Sequence, residues 1–162
     1  MFSFFMVFMI ASSCKNNSTN NGGTWSLKGI NSSILICDAF AGSPQTGNSN
    51  ISASTSANGG NLLNIIFGTT WLPITSGTYT VIGRGYPGIN QVGIGVAFGS
   101  SNSTGHNGAS FTATGGNGSN QTVSVTVSPT GKISVSGSNI MMVNDTLASD
   151  STLLNFNISQ TN

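Results

Sequence analysis

The sequence predicts an all-β protein, a single antiparallel β-sandwich of immunoglobulin-like or jelly-roll-like build, with a barrel as the alternative. Three observations predict it. Apolar and polar residues alternate with period two in run after run, as in Val123, Val125 and Val127 set between Thr122, Ser124, Thr126 and Ser128. Gly, Pro, Asn and Asp cluster between those runs, where turns need them. No stretch sustains a 3.6-residue apolar period, and Gly recurs too often for helix interiors.

The strands expected in chain order are 24–29, 32–40, 50–56, 61–67, 78–83, 91–98, 108–114, 121–128, 131–137, 139–143 and 152–159. The run 32–40 places Ile34, Ile36, Asp38 and Phe40 on one face. The run 91–98 alternates Val92, Ile94, Val96 and Phe98 with Gly93, Gly95 and Ala97. Ser128-Pro-Thr-Gly131 joins 121–128 to 131–137 as a hairpin. Ala57-Asn-Gly-Gly60 is a second hairpin connection, and 152–159 alternates Leu154, Phe156 and Ile158 with Asn and Ser. The expected core takes Ile34, Ile36, Phe40, Ile94, Val96, Phe98, Val123, Val125, Leu154, Phe156 and Ile158 from these runs and adds Trp25, Leu63, Ile65, Phe67, Tyr79, Val81, Phe111, Ile133 and Val135. Segments 41–49 and 99–108 read as long surface loops, and no fixed-period repeat suggests a solenoid or propeller.

Only 4% of the 162 residues are charged, and the net charge is +1. Ser, Thr, Asn and Gly make up about half of the chain. Four scattered basic residues do not neutralise a row of phosphates, so nucleic acid is excluded as a partner.

The first fourteen residues differ from the rest. Phe2 to Ala11 carry one polar side chain, Ser3. That length matches the apolar region of an export signal and falls short of the roughly 20 residues that span a bilayer. Residues 15–23, Lys-Asn-Asn-Ser-Thr-Asn-Asn-Gly-Gly, then offer nothing apolar. The resulting organisation is a signal at 1–13, a cysteine and tether at 14–23, and a β-domain at 24–162.

Ile10-Ala-Ser-Ser-Cys14 resembles the bacterial lipobox. The resemblance implies cleavage before Cys14, a diacylglycerol on its sulfur and an acyl group on the new amino end. Two features depart from the pattern: no Lys or Arg precedes the apolar run, and Ala11 stands where Leu, Val or Ile is usual. With the Asn/Ser/Thr/Gly-rich tether, the opening Gly23-Thr-Trp-Ser-Leu-Lys-Gly29 strand and the Trp71-Leu-Pro-Ile-Thr-Ser-Gly-Thr-Tyr-Thr-Val81 segment, the chain is similar to small, uncharacterised β-rich lipoproteins of Bacteroidota. That resemblance implies a cell-envelope protein anchored to the outer membrane through lipid on Cys14, on the periplasmic or the surface side. With Cys14 lipidated, Cys37 has no disulfide partner and reads as a buried hydrophobe.

Candidate chemistry is sparse. Gly83-Arg-Gly-Tyr-Pro-Gly88 matches G-x-G-x-x-G, but Pro87 and the glycines after it deny the helix a dinucleotide needs. Asp38, Asp145 and Asp150 are the only carboxylic side chains, and Asn144–Asp150 reads as a turn rather than a calcium loop. His106 is the single histidine, too few for zinc. No catalytic residue, metal or cofactor is therefore assigned. Exposed aromatics are the remaining handle, with Trp71, Arg84 and Tyr86 as candidate ligand-binding residues. The expected function is a lipid-anchored, non-enzymatic envelope protein with a structural or interaction role. The alternative is a module that binds a glycan or an envelope protein, and a hydrolase is the remote third reading.

Overall fold

The computed structural model describes residues 22–42, 47–56, 60–99, 108–115 and 120–161. The export signal, Cys14, His106 and the centre of the 57–60 turn lie outside the described residues. Those described hold eleven strands and no helix. The strands are β1 (Gly23–Leu27), β2 (Ile30–Ser33), β3 (Ile36–Phe40), β4 (Asn50–Ser54), β5 (Leu62–Phe67), β6 (Gly77–Ile82), β7 (Gln91–Ala97), β8 (Ser110–Ala113), β9 (Thr122–Val127), β10 (Ile133–Asn144) and β11 (Ser151–Ser159).

All eleven belong to one mixed sheet, ordered β2-β1-β11-β10-β9-β6-β7-β5-β4-β3, with β8 inserted between β10 and β7. Alternate residues of the strands feed one core, which runs from Trp25 and Leu27 through Phe67, Val96, Phe111 and Val135 to Ile158. Eleven strands share a single core only if the sheet folds over on itself, the sandwich-like arrangement the alternation predicts.

The two ends of the strand order meet at Ile34-Leu35. Ile34 N–H still donates to Gly23 O of β1 at 2.9 Å, while Leu35 N–H already donates to Ser54 O of β4 at 2.9 Å. Thr161, just past β11, donates its N–H to Cys37 O at 2.8 Å, and its hydroxyl accepts from Cys37 N–H at 3.1 Å. The expected strand 32–40 is therefore two strands. The junction also shifts parity: Ile34 and Cys37 are buried, whereas Ile36 is half-buried and Phe40 is half-exposed. A one-residue slip sends every later side chain to the opposite face. Asp38 accordingly faces outward, opposite Ser52.

Residues 131–137 and 139–143 form the single strand β10, bent by a bulge between Gly137 and Ile140. Asn139 takes φ 55° there, and its N–H donates to the Asn155 side chain at 2.9 Å. Lys28 and Gly29 form the β1–β2 turn, both with positive φ. The sheet is not wholly antiparallel, because β6 and β7 pair in parallel. Such a pair usually needs a crossover of a dozen residues or more. Here only Thr80–Ile82 pair with Gln91–Gly93, so residues 83–90 need to step back by little more than a strand's width. The 128–131 hairpin forms as expected, closed by Gly131 N–H on Ser128 O at 2.9 Å with Gly131 at φ 82°.

Two glycines set close backbone approaches. A Cβ on Gly115 would stand 1.9 Å from Val81 O, and one on Gly68 would stand 1.8 Å from Gly88 O. Gly93, inside β7, has open space where its Cβ would be. Gly115→Ala is expected to cost about 1–3 kcal/mol through overpacking, or roughly 3–10 °C in Tm for a chain of this size. Gly93→Ala is expected to leave Tm unchanged or raise it slightly, since Ala restricts the unfolded chain. Calorimetry of the two variants checks the pair.

Candidate functional site

Three segments converge where β3 and β5 end and β6 and β7 begin: residues 40–42, 68–76 and 86–90. Their meeting is set by backbone contacts. Gly42 N–H donates to Thr70 O at 2.7 Å, Ser49 N–H to Thr69 O at 2.7 Å, and Gly68 lies directly against Gly88. The Thr70 hydroxyl adds a bond to Gly47 O at 3.0 Å.

The peptide of Trp71 is held from two sides. Its carbonyl accepts from the Thr69 hydroxyl at 2.7 Å and from the buried Ser49 hydroxyl at 3.1 Å. Its ring is left out in solvent. Trp71 is 74% exposed, Ile74 86%, Tyr86 90%, Ile89 78% and Phe40 50%. Beside Trp71 lies an open groove of about 600 Å³, walled by Ala41, Leu72, Pro73, Ile74 and Tyr79. Tyr79 forms its floor, half-buried and edge-on to Phe67 at 5.7 Å between ring centroids. No charged side chain lines this groove. An open, uncharged surface with large apolar side chains on a fixed backbone suits contact with another surface more than enclosure of a small molecule.

The three candidate binding residues do not line one cavity. Trp71 lines the apolar groove. Arg84 lines a second cavity of about 550 Å³ with Thr112, Thr114 and Asp145. Its guanidinium donates to the Asp145 carboxylate at 3.3 Å. Tyr86, two residues on, projects from the crossover and lines neither cavity. The G-x-G-x-x-G segment is this crossover: Gly85 takes φ 126°, and Gly88 N–H donates to the Gln91 side chain at 2.8 Å. No helix follows it.

The carboxylates are dispersed. Burial disfavours the Asp145 charge, but hydrogen bonds with Ser110 and Thr112 and the Arg84 charge outweigh it and hold the carboxyl below its usual value. Asp150 pairs with Lys28 at 2.5 Å. Asn144 organises the turn between them, its side-chain oxygen accepting from Thr146 N–H at 2.9 Å and Leu147 N–H at 3.3 Å. With its two carboxylates drawn to different cations, this turn gathers no ion-binding cage. No group of three or more His, Cys, Asp or Glu side chains that could hold a metal occurs among the described residues.

Ile74, Ile89 and Phe40 were not singled out by the sequence. Ile74 and Ile89 sit in segments that read as connections, and the alternation over 32–40 places Phe40 in the core, a parity that breaks at Leu35. The usable signal was Trp71-Leu-Pro-Ile74, four apolar residues running through a segment with no strand alternation. No family model, no curated protein and no solved structure matches this chain.

Cys37 is fully buried, and burial, helped by the Asp38 charge beside it, pushes its thiol up to about 12. A thiol without thiolate character is a poor nucleophile. In the folded Cys14→Ala variant, Ellman's reagent is expected to leave Cys37 unmodified over hours and to titrate one thiol at once in guanidinium. Rapid reaction under native conditions would contradict the burial.

Proposed function

We propose that this chain is a lipid-anchored cell-envelope protein that works by contact and not by catalysis, similar in kind to the small β-rich lipoproteins of Bacteroidota. The observation that carries the reading is the division of the surface. The described carboxylates at Asp145 and Asp150 are each tied to a separate cation. The four most exposed large apolar side chains, Trp71, Ile74, Tyr86 and Ile89, instead lie in segments 68–76 and 85–91, which carry no charge, while Leu147 and Leu153 are about half-exposed elsewhere. General acid–base work asks for titratable groups brought together over a reacting atom, whereas recognition asks for a fixed and exposed contact surface.

The anchor is assigned from Ile10-Ala-Ser-Ser-Cys14. Two or three acyl chains on one cysteine hold a protein to a bilayer stably, where one chain holds it marginally. The outer membrane is the proposed location. A second reading, a carbohydrate-binding module, is favoured by Trp71, whose pinned peptide and free ring form a ready stacking platform.

Growth with a radiolabelled or alkyne-bearing fatty acid is expected to label the wild type and leave Cys14→Ala unlabelled. The mature mass is expected to lack residues 1–13 and to include the acyl groups. Equal labelling of both proteins, or retention of residues 1–13, would contradict the anchor.

A further inference from the structure

We propose that the loop end carrying Phe40, Trp71, Ile74, Tyr86 and Ile89 is a membrane-seating surface, which in the lipidated protein lies in the interfacial zone of the bilayer that holds the Cys14 anchor. The proposal rests on the lipid-anchored reading above.

Chain length makes the seating reachable. Eight residue steps separate Cys14 from Gly22 and span at most about 29 Å when extended. Gly22 packs against Cys37, where a Cβ on the glycine would stand 3.3 Å from the cysteine Cβ. From Cys37, β3 runs three residues to Phe40, about 10 Å along the strand. Ala41, the next residue, already walls the Trp71 groove. The apolar end therefore lies closer to the chain's point of entry than the reach of the segment leading to the anchor. Lipid on Cys14 holds that end within range of the bilayer at no further cost in chain.

The chemistry of the surface matches the zone. Indole and phenol rings favour the boundary between headgroups and acyl chains, with their polar edges toward water and their faces toward hydrocarbon. Trp71 and Tyr86 supply those rings. Ile74 and Ile89, both largely exposed, supply aliphatic surface that gains from leaving water. Segments 68–76 and 85–91 carry no charged side chain, so no ion has to be stripped of water there. Arg84, just before the second segment, is engaged with Asp145.

A sugar fits this groove less well. Orienting a pyranose takes several convergent hydrogen-bonding groups. Apart from Thr69, Thr75, the Tyr79 hydroxyl and the Trp71 indole N–H, the side chains lining the groove are apolar, and the Thr69 hydroxyl is already donated to Trp71 O. The exposed isoleucines have no use in sugar stacking.

The test uses the full lipidated protein in phosphatidylcholine vesicles whose acyl chains carry bromine. The chain has two tryptophans: Trp25 is buried in the core against Phe98, and Trp71 is exposed. Seating predicts a blue shift of Trp71 emission and its quenching by bromine. Trp71→Phe should remove the quenched component and leave the Trp25 signal intact. Ile74→Ser with Ile89→Ser, at exposed positions, should weaken the quenching without altering Tm. A vesicle-bound protein whose Trp71 emission stays aqueous and unquenched overturns the seating while the anchor stands. A wild type recovered without acyl chains overturns anchor and seating together. Trp71 shielded, without vesicles, by a neutral gluco-oligosaccharide or by self-association in a dilution series assigns the surface to that occupant and overturns the proposal.

Discussion

The structure depends on one crossing of the chain, at Ile34-Leu35, where two successive amides bond to strands at opposite ends of the sheet. Without it the strand order would end in two open edges, β2 and β3. Open edges invite pairing with other chains, and charged edge residues usually discourage it. This sequence has almost no charge to spend there. The crossing and the Thr161–Cys37 bonds bring the two ends together by hydrogen bonds of the backbone and the Thr161 hydroxyl instead. The same step points Ile34 and Cys37 into the core and leaves Phe40 half-exposed at the end of β3.

Solubility without charge has a matching explanation. Strand register places Ser33, Thr24, Asn157, Ser136, Ser124 and Thr78 in one row across six strands. Hydroxyl and amide side chains hydrate such a face well and suit a pleated backbone. The described cations and carboxylates are equal in number, three of each, so the domain itself is formally neutral. Neutrality removes long-range repulsion from anionic lipid headgroups as well as attraction to them. Placement near a membrane then falls to the anchor and to the apolar loops.

Most of the fold was legible because period-two alternation is a strong signal when outer positions are Ser, Thr and Asn. All eleven strands lie within or close to the runs where alternation located them. The signal failed where backbone geometry and not side-chain pattern decided the outcome. Ile34-Leu-Ile-Cys37 is apolar throughout, so nothing in it marks the parity shift, and alternation alone puts Ile36 and Phe40 inside. The bulge at Asn139 looked like a strand end because Gly137-Ser-Asn139 has turn composition. The parallel β6–β7 pair depends on register, which a run of Gly conceals. Of the candidate site, Trp71 was legible as an aromatic beside a bend. Its separation from Arg84 was not, because Arg84 follows the long-range pull of Asp145, sixty-one residues away in sequence.

The crossing at Ile34-Leu35, as an integral part of the core structure, should open only when the whole domain unfolds. Native-state hydrogen exchange of the amides of Ile34, Leu35 and Thr161 tests it most directly. If the crossing is integral, these amides exchange only through global unfolding, with the same denaturant dependence as the central amides of β10 and β11. Exchange through local opening at low free energy, while β10 and β11 stay protected, would contradict it.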